Sequence, residues 1–200
     1  MKTRIPRGPS RRRWLVEGGA TAAALAFGLG TVTAATAQDA YPSKPVRVVV
    51  AFTAGGTTDI LARAVTQQLS EKLKQPFVID NKPGGGGNIG TEFVVRAPPD
   101  GYTLIVNSVG PMAVNQTLYK NLAYDPLTDL VPVVQIADVP NVLVVNPDVP
   151  AKTLEAFIAY AKANPGKLNY GSTGVGTSSH LSSFMLSKRI GAQTIHVPYK

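Results

Sequence analysis

Val46-Arg47-Val48-Val49-Val50-Ala51-Phe52-Thr53-Ala54-Gly55-Gly56-Thr57-Thr58-Asp59 runs from a β-branched segment straight into a glycine–threonine turn. An unbroken run of Val suits a strand covered on both faces, as parallel sheets flanked by helices require. Behind the turn, Ile60, Leu61, Ala64, Val65, Leu69 and Leu73 recur at helical spacing, which predicts a helix from about Thr58 to Lys74 with a stop at Pro76. Strand, loop and helix in that order are the repeating unit of an α/β fold with a mainly parallel sheet.

The same unit recurs downstream. Phe77-Val78-Ile79-Asp80 reads as a second strand, and residues 84–87 open a helix running to about Ala97. Pro98-Pro99-Asp100-Gly101 is a turn, residues 102–107 a third strand, and residues 111–118 a short helix. Two more strands are expected over 133–137 and 141–145, separated by Pro140. A helix beginning at Thr153, a strand at Leu168-Asn169-Tyr170, a helix over 178–190 and a strand over 194–198 complete the pattern. The last strand has nothing after it to cover its sheet, so the chain reads as a fragment or an early-ended reading frame.

Upstream of the strand, residues 1–37 read as a removable export signal. Arg11, Arg12 and Arg13 close a basic segment, an apolar run extends from Gly18 to about Val32, and Ala35-Thr36-Ala37 gives a small–x–small cleavage pattern before Gln38. Ser10-Arg11-Arg12-Arg13-Trp14-Leu15 also resembles the twin-arginine signal; a Sec signal with a coincidental arginine pair is the alternative. The apolar run is shorter than the roughly 20 residues needed to span a bilayer, so cleavage is expected over membrane anchoring. The mature chain is expected to be soluble.

Charge follows the same division. The 200-residue chain carries +8, with 20 Lys and Arg against 12 Asp and Glu. Five of those net charges sit in residues 1–38, and no basic stripe with interleaved aromatics remains to suggest nucleic acid. The absence of cysteine excludes disulfides and thiolate chemistry, and two histidines, His180 and His196, are too few for a histidine metal cluster.

In open α/β sheets ligands settle beyond the C-terminal ends of the strands. Three such junctions share one chemistry: residues 52–59, then Asn107-Ser108-Val109-Gly110, then residues 171–178. Each sets small residues and hydroxyls before a helix whose first N–H groups lack partners, and converging helix termini favour an anion. Ordinary capping and turn formation explains the same residue types at any one junction. Asp59, in the first helical turn, is expected to serve the helix itself. His180 fits either a ligand contact or a bond to its own loop, and His196, within a strand, is expected to be structural.

Competing motifs fit less well. Gly85-x-Gly87-x-x-Gly90 matches a dinucleotide fingerprint, but the following strand ends at Asn107-Ser108, where an acidic residue should hold the ribose. Residues 171–177 lack the lysine of a phosphate loop, and no Gly-x-Ser-x-Gly elbow exists.

Taken together, Tyr41-Pro42-Ser43-Lys44-Pro45-Val46, residues 52–59, Asn81-Lys82-Pro83-Gly84, Pro99-Asp100-Gly101-Tyr102-Thr103-Leu104, residues 171–180 and His196-Val197-Pro198-Tyr199-Lys200 resemble one family in order and spacing. It is the periplasmic substrate-binding component of tripartite tricarboxylate transporters, the Bug-type receptors. The resemblance implies a periplasmic-binding-protein type II-like fold, two α/β lobes closing on a hinge. The first lobe would span 38–138, and 139–200 would hold the hinge and the start of an incomplete second lobe. It further implies a small carboxylate as ligand, membrane subunits of the transporter as partners, a monomer, no cofactor, and no catalytic residues. Phe52, Thr53, Gly55, Thr57 and Ser108, with Asn107 beside it, would line the first lobe. Ser172, Thr173, Gly176 and Thr177 would line the second, with His180 nearby. A dinucleotide enzyme and a receptor reporting to a sensor kinase are the rival readings. The family continues well past His196-Val197-Pro198-Tyr199-Lys200, so the return of the chain to its first lobe would be missing.

Overall fold

The computed structural model describes residues 40–199, so the export signal and its cleavage pattern lie outside the described residues. Strands β1 (Val46–Val50), β2 (Phe77–Asn81) and β3 (Thr103–Val106) form one sheet in the order β2-β1-β3, every pair parallel. Strands β4 (Leu168–Ser172) and β5 (Thr194–Pro198) form a second parallel pair, with Leu168 opposite Thr194 and Ser172 opposite Pro198. Both sheets lie in one compact unit, Ala40–Lys200.

The opening run behaves as its composition dictates. Val46, Val49 and Val50 are fully buried and Val48 nearly so, because β1 is the central strand of its sheet. Burying each such side chain contributes on the order of 1.5–3 kcal/mol. Val46, Val48 and Phe77 make the core, with Leu69, Ile79, Tyr102, Leu104 and Val106 packed against it.

Helix α1 (Thr57–Leu73) forms where expected, but it turns a different face to the sheet. Its buried residues are Asp59, Ala62 and Thr66, whereas Ile60 and Leu73 of the expected apolar stripe are exposed. Polar bonds set this rotation. Asp59 is anchored at one end, and Ser70 Oγ donates to the Thr66 carbonyl and accepts the Phe77 N–H at the other.

Residues 85–87 form a 3₁₀ turn before α2 (Asn88–Val95). The expected helix over 111–118 is divided: Gly110–Val114 is a π-helical turn and only Asn115–Leu118 (α3) is α-helical. The Asn115 N–H reaches back five residues to the Gly110 carbonyl, and Pro111, near the start of the turn, has no N–H to donate.

The strands expected over 133–137 and 141–145 do not form. Both stretches lack ladder pairing among the described residues, and Val131, Val133, Val142 and Val144 are each more than three-quarters exposed. A β-branched sequence needs a neighbouring strand to become one, and none pairs with it among the described residues. After this segment, α4 (Leu154–Ala163) starts from Thr153, whose hydroxyl accepts the Ala156 N–H, and α5 (Ser178–Ile190) ends at left-handed Gly191. The chain past Ala40 is tied to the 100–102 turn: Tyr41 OH donates to the Gly101 carbonyl and the Ser43 N–H to Tyr102 OH.

Candidate functional site

The first junction is held from beneath. Asp59, 2% exposed, accepts the Gly55 N–H and Arg63 Nε–H on one oxygen and Asn81 Nδ2–H on the other, at 2.8–2.9 Å. Asn81 also donates to the Phe52 carbonyl at 3.1 Å, tying the loop to the end of β2. Arg63, then the Gly55 amide and Asn81, hold the Asp59 carboxyl well below the usual carboxylate range despite its burial. The expectation that Asp59 serves its own helix therefore holds, and its service extends to the loop. With the loop fixed from below, Thr53, Gly55 and Thr57 face outward and Phe52 is half-buried. Gly55 has φ +82, and the space where a side chain would stand is open.

At the second junction Asn107 is turned inward. Its Nδ2 donates to Thr91 Oγ1 at 2.8 Å, and its Oδ1 accepts the Ser108 N–H at 3.0 Å. Ser108 is half-buried. The short α3 and the π-helical turn replace the regular helix N-terminus expected after it.

The third junction folds on itself. Ser172 Oγ lies 2.6 Å from His196 Nε2 and accepts the Gly174 N–H, while Thr177 Oγ1 donates to the Gly174 carbonyl at 2.7 Å. The Gly176 N–H donates to His180 Nδ1 at 3.2 Å, which requires that nitrogen to carry no proton. Of the two roles open to His180, the bond to its own loop is present. The rings of His180 and His196 stack with centroids 4.0 Å apart, and Tyr170 stacks on His196 at 4.9 Å. Burial, and then the neighbouring His180, lower the His196 pKa from its ordinary 6.5. Ser172, Gly176 and Thr177 are buried, so the two hydroxyls shape the loop from within. Thr173 is the exposed member, its N–H bonded to Ser179 Oγ.

These junctions are brought together through glycines. A methyl on Gly87 would stand 3.2 Å from the Phe52 ring and against Pro111, a methyl on Gly86 would overlap the Val175 carbonyl oxygen, and one on Gly110 would lie 3.1 Å from the Gly176 carbonyl oxygen. Residues 52, 86–87, 110–111 and 175–176 thus form one contiguous set spanning both sheets. The same packing bears on the dinucleotide reading. The space beside Gly87, the glycine of that fingerprint at which a pyrophosphate would approach the backbone, is filled by Pro111 and Phe52, and Gly90 packs on Ala51 and the Lys82 carbonyl. Two surface grooves of about 430 and 460 Å³ lie beside α1 and α2, and neither is lined by a residue of the three junctions.

Sequence reasoning passed over Asn88, Asn115 and Tyr124. Asn115 is fully buried and its Nδ2 donates to Asn88 Oδ1 at 2.6 Å; Tyr124 OH lies 2.9 Å from the same oxygen. An asparagine directly after the short apolar run Met112-Ala113-Val114 was the available signal. Among the described residues no group of three or more His, Asp or Glu is placed to hold a metal, and no helix is long and apolar enough to cross a membrane.

Residues 61–200 match the model of the tripartite tricarboxylate transporter family receptor, and the chain belongs to that family. Among curated relatives, protein BugT of Bordetella pertussis is 39% identical over 84% of this chain and 52% of its own length. Among solved structures, R. palustris Rpa4515 with adipate is 43% identical with a TM-score of 0.78, over 80% of this chain and 54% of that one. MatC (Rpa3494) from Rhodopseudomonas palustris with bound malate is 34% identical with a TM-score of 0.74, over 80% and 54%. The chain spans about half the length of the curated relatives it matches. The α/β architecture with parallel sheets is shared with the solved periplasmic binding protein BugD, 36% identical with a TM-score of 0.70 over 80% of this chain and 53% of that one.

Proposed function

We propose that this protein captures a small organic carboxylate in the periplasm and passes it to the membrane subunits of a tripartite transporter, without chemical conversion. Membership of the receptor family, together with adipate and malate in two related structures, supports the substrate class. The observation that carries the reading here is the convergence of glycine- and hydroxyl-rich junctions from two sheets with Gly55 open and Thr53, Thr57 and Thr173 facing outward. Backbone amides and hydroxyls in that setting would grip a carboxylate without a buried arginine.

On this reading residues 38–138 form the first lobe and residues 139–200 the hinge and the beginning of the second. Phe52, Thr53, Gly55, Thr57 and Ser108 face the ligand from one side, and Thr173 with the first N–H groups of α5 from the other, while Gly176 shapes the loop between them. Asn107, Ser172, Thr177 and His180 hold those positions in place, which refines their expected role as direct contacts. Residues 1–37 direct export and are removed, and the mature receptor acts as a monomer.

The test is a thermal-shift screen of mono-, di- and tricarboxylates against this chain and against a form extended to the length of its relatives. One acid should raise the melting temperature by several degrees at a concentration well above its Kd. If none shifts either form, the carboxylate reading is wrong.

A further inference from the structure

The glycine run at residues 84–87 is the one motif that ligand capture, as read above, leaves without a task. The geometry points to Gly86, Gly110, Asn115 and Tyr119 as a seat for Val175 and Gly176, a clasp that positions the two sets of binding loops against each other. This inference rests on the carboxylate-receptor reading for its purpose but not for its existence.

Three features carry it. First, the approach is backbone to backbone: a side chain on Gly86 would occupy the space of the Val175 carbonyl oxygen, and one on Gly110 would press on the Gly176 carbonyl oxygen at 3.1 Å. Second, Asn115 is aimed by its own bonds. Its Nδ2 donates to Asn88 Oδ1 and, at 3.3 Å, to the Gly86 carbonyl, which turns Oδ1 toward Gly176. That oxygen is buried and has no hydrogen-bond partner among the described residues, and a methyl on Gly176 would overlap it. Third, the polar contact made to Val175 is weak, Tyr119 OH to the Val175 carbonyl at 3.5 Å. Close shape fit with an unsatisfied acceptor suits a contact that opens and closes, since leaving such a group buried opposes permanent closure. Asn115, Gly86 and Tyr119 are therefore positioning residues: they act on the ligand through the loop they seat.

Two adjacent glycines supply the experiment. Gly85 and Gly86 share the left-handed conformation, φ +58 and +63, so alanine strains the backbone alike at both. At Gly85 the methyl makes only ordinary contacts with the start of α2, Asn88 Cβ at 3.5 Å and Ile89 Cγ1 at 3.9 Å, whereas at Gly86 it overlaps the Val175 carbonyl oxygen. Hydrogen–deuterium exchange is measured on the 200-residue chain carrying Gly85→Ala or Gly86→Ala. Amides 175–177 should exchange roughly tenfold faster in Gly86→Ala than in Gly85→Ala, with β1 and β4 equally protected in both. Equal exchange at 175–177 overturns the clasp. Should Gly86→Ala unfold β1 or β4, Tyr119→Phe carries the comparison, and unchanged exchange there overturns the clasp equally. Adipate and malate are then used as probes by stopped-flow: Gly86→Ala should release the bound acid roughly tenfold faster than Gly85→Ala, with little change in association. Equal release from the two variants counts against the clasp. Failure of both acids to bind the unsubstituted chain counts against the carboxylate reading alone, because the exchange comparison needs no ligand.

Discussion

Ser172 at the end of β4 and His196 in the middle of β5 are joined by a 2.6 Å contact between Oγ and Nε2 across 24 residues of sequence. The bond fixes where the third junction leaves its sheet, and it removes the Ser172 hydroxyl from the surface.

Ser172→Ala and Thr173→Ala should therefore behave differently. Loss of the Ser172 hydroxyl leaves the His196 ring and the Gly174 N–H without a partner and should cost about 1–2 kcal/mol in denaturant unfolding. Thr173→Ala, at an exposed position, should leave stability within about 0.5 kcal/mol and weaken carboxylate binding several-fold in calorimetry. Equal stability losses would contradict the division of labour between these neighbours.

Protonation should loosen this junction. The His196 pKa is lowered from 6.5, by burial and then by His180, so the unfolded chain takes up a proton before the folded one. The stability tied to neutral His196 is complete above pH 6.5 and is lost as pH falls through the lower folded value. Melting temperature should decline below pH 6.5, and His196→Gln should flatten that decline while lowering stability at about pH 8. An unaltered pH profile in the variant would exclude His196 as its source.

Asp59 should show no such sensitivity at neutral pH. Its carboxyl is held below the ordinary 3.8, so its contribution is complete above that value and is lost only at more acid pH. Asp59→Ala leaves one Asn81 Nδ2–H and the Gly55 N–H without a partner and should cost about 2 kcal/mol at about pH 7. The cost should be the same at about pH 5.5, measured by urea unfolding at both.

The receptor is proposed to act as a monomer, but the exposed segment between α3 and α4 should promote non-specific association of this 200-residue chain in concentrated solution. Val142 and Val144 are 77% and 82% exposed in a stretch free of ladder pairing among the described residues. Val142→Lys with Val144→Lys should reduce light scattering of concentrated solutions and shift the melting temperature little. Undiminished scattering would place the association elsewhere.

The parallel α/β order was legible because β1, buried on both faces, needs an uninterrupted run of Val, and because Pro76 and Thr153 mark ends that depend on local stereochemistry. The strands at 133–137 and 141–145 were misread because β-branched residues report suitability for a sheet and not the presence of a neighbour. The face of α1 was misread for a related reason: Asp59 is polar, yet three hydrogen bonds draw it under the loop and rotate Ile60 outward. At the site, the loops were visible as glycine and hydroxyl clusters. Which hydroxyls face inward depends on partners 3 to 24 residues away, as with Thr177 to Gly174 and Ser172 to His196. The place of Asn115 after Met112-Ala113-Val114 marks it as unusual, but its role lies in contacts with residues 27 to 29 positions upstream and with Gly176, which the local sequence does not show.

The bond from Asn81 to Phe52 and Asp59 has a mechanical consequence. It bolts residues 52–59 to the edge strand of their sheet, so that loop cannot shift without carrying β2 along. Residues 172–180 have no ion pair among their bonds and hang on hydroxyls, an imidazole and glycine turns. On the proposed carboxylate reading, the two sides would act as an anvil and a spring: the bolted loop would set where a carboxylate lands, and any accommodation to the rest of the acid would fall to the other side.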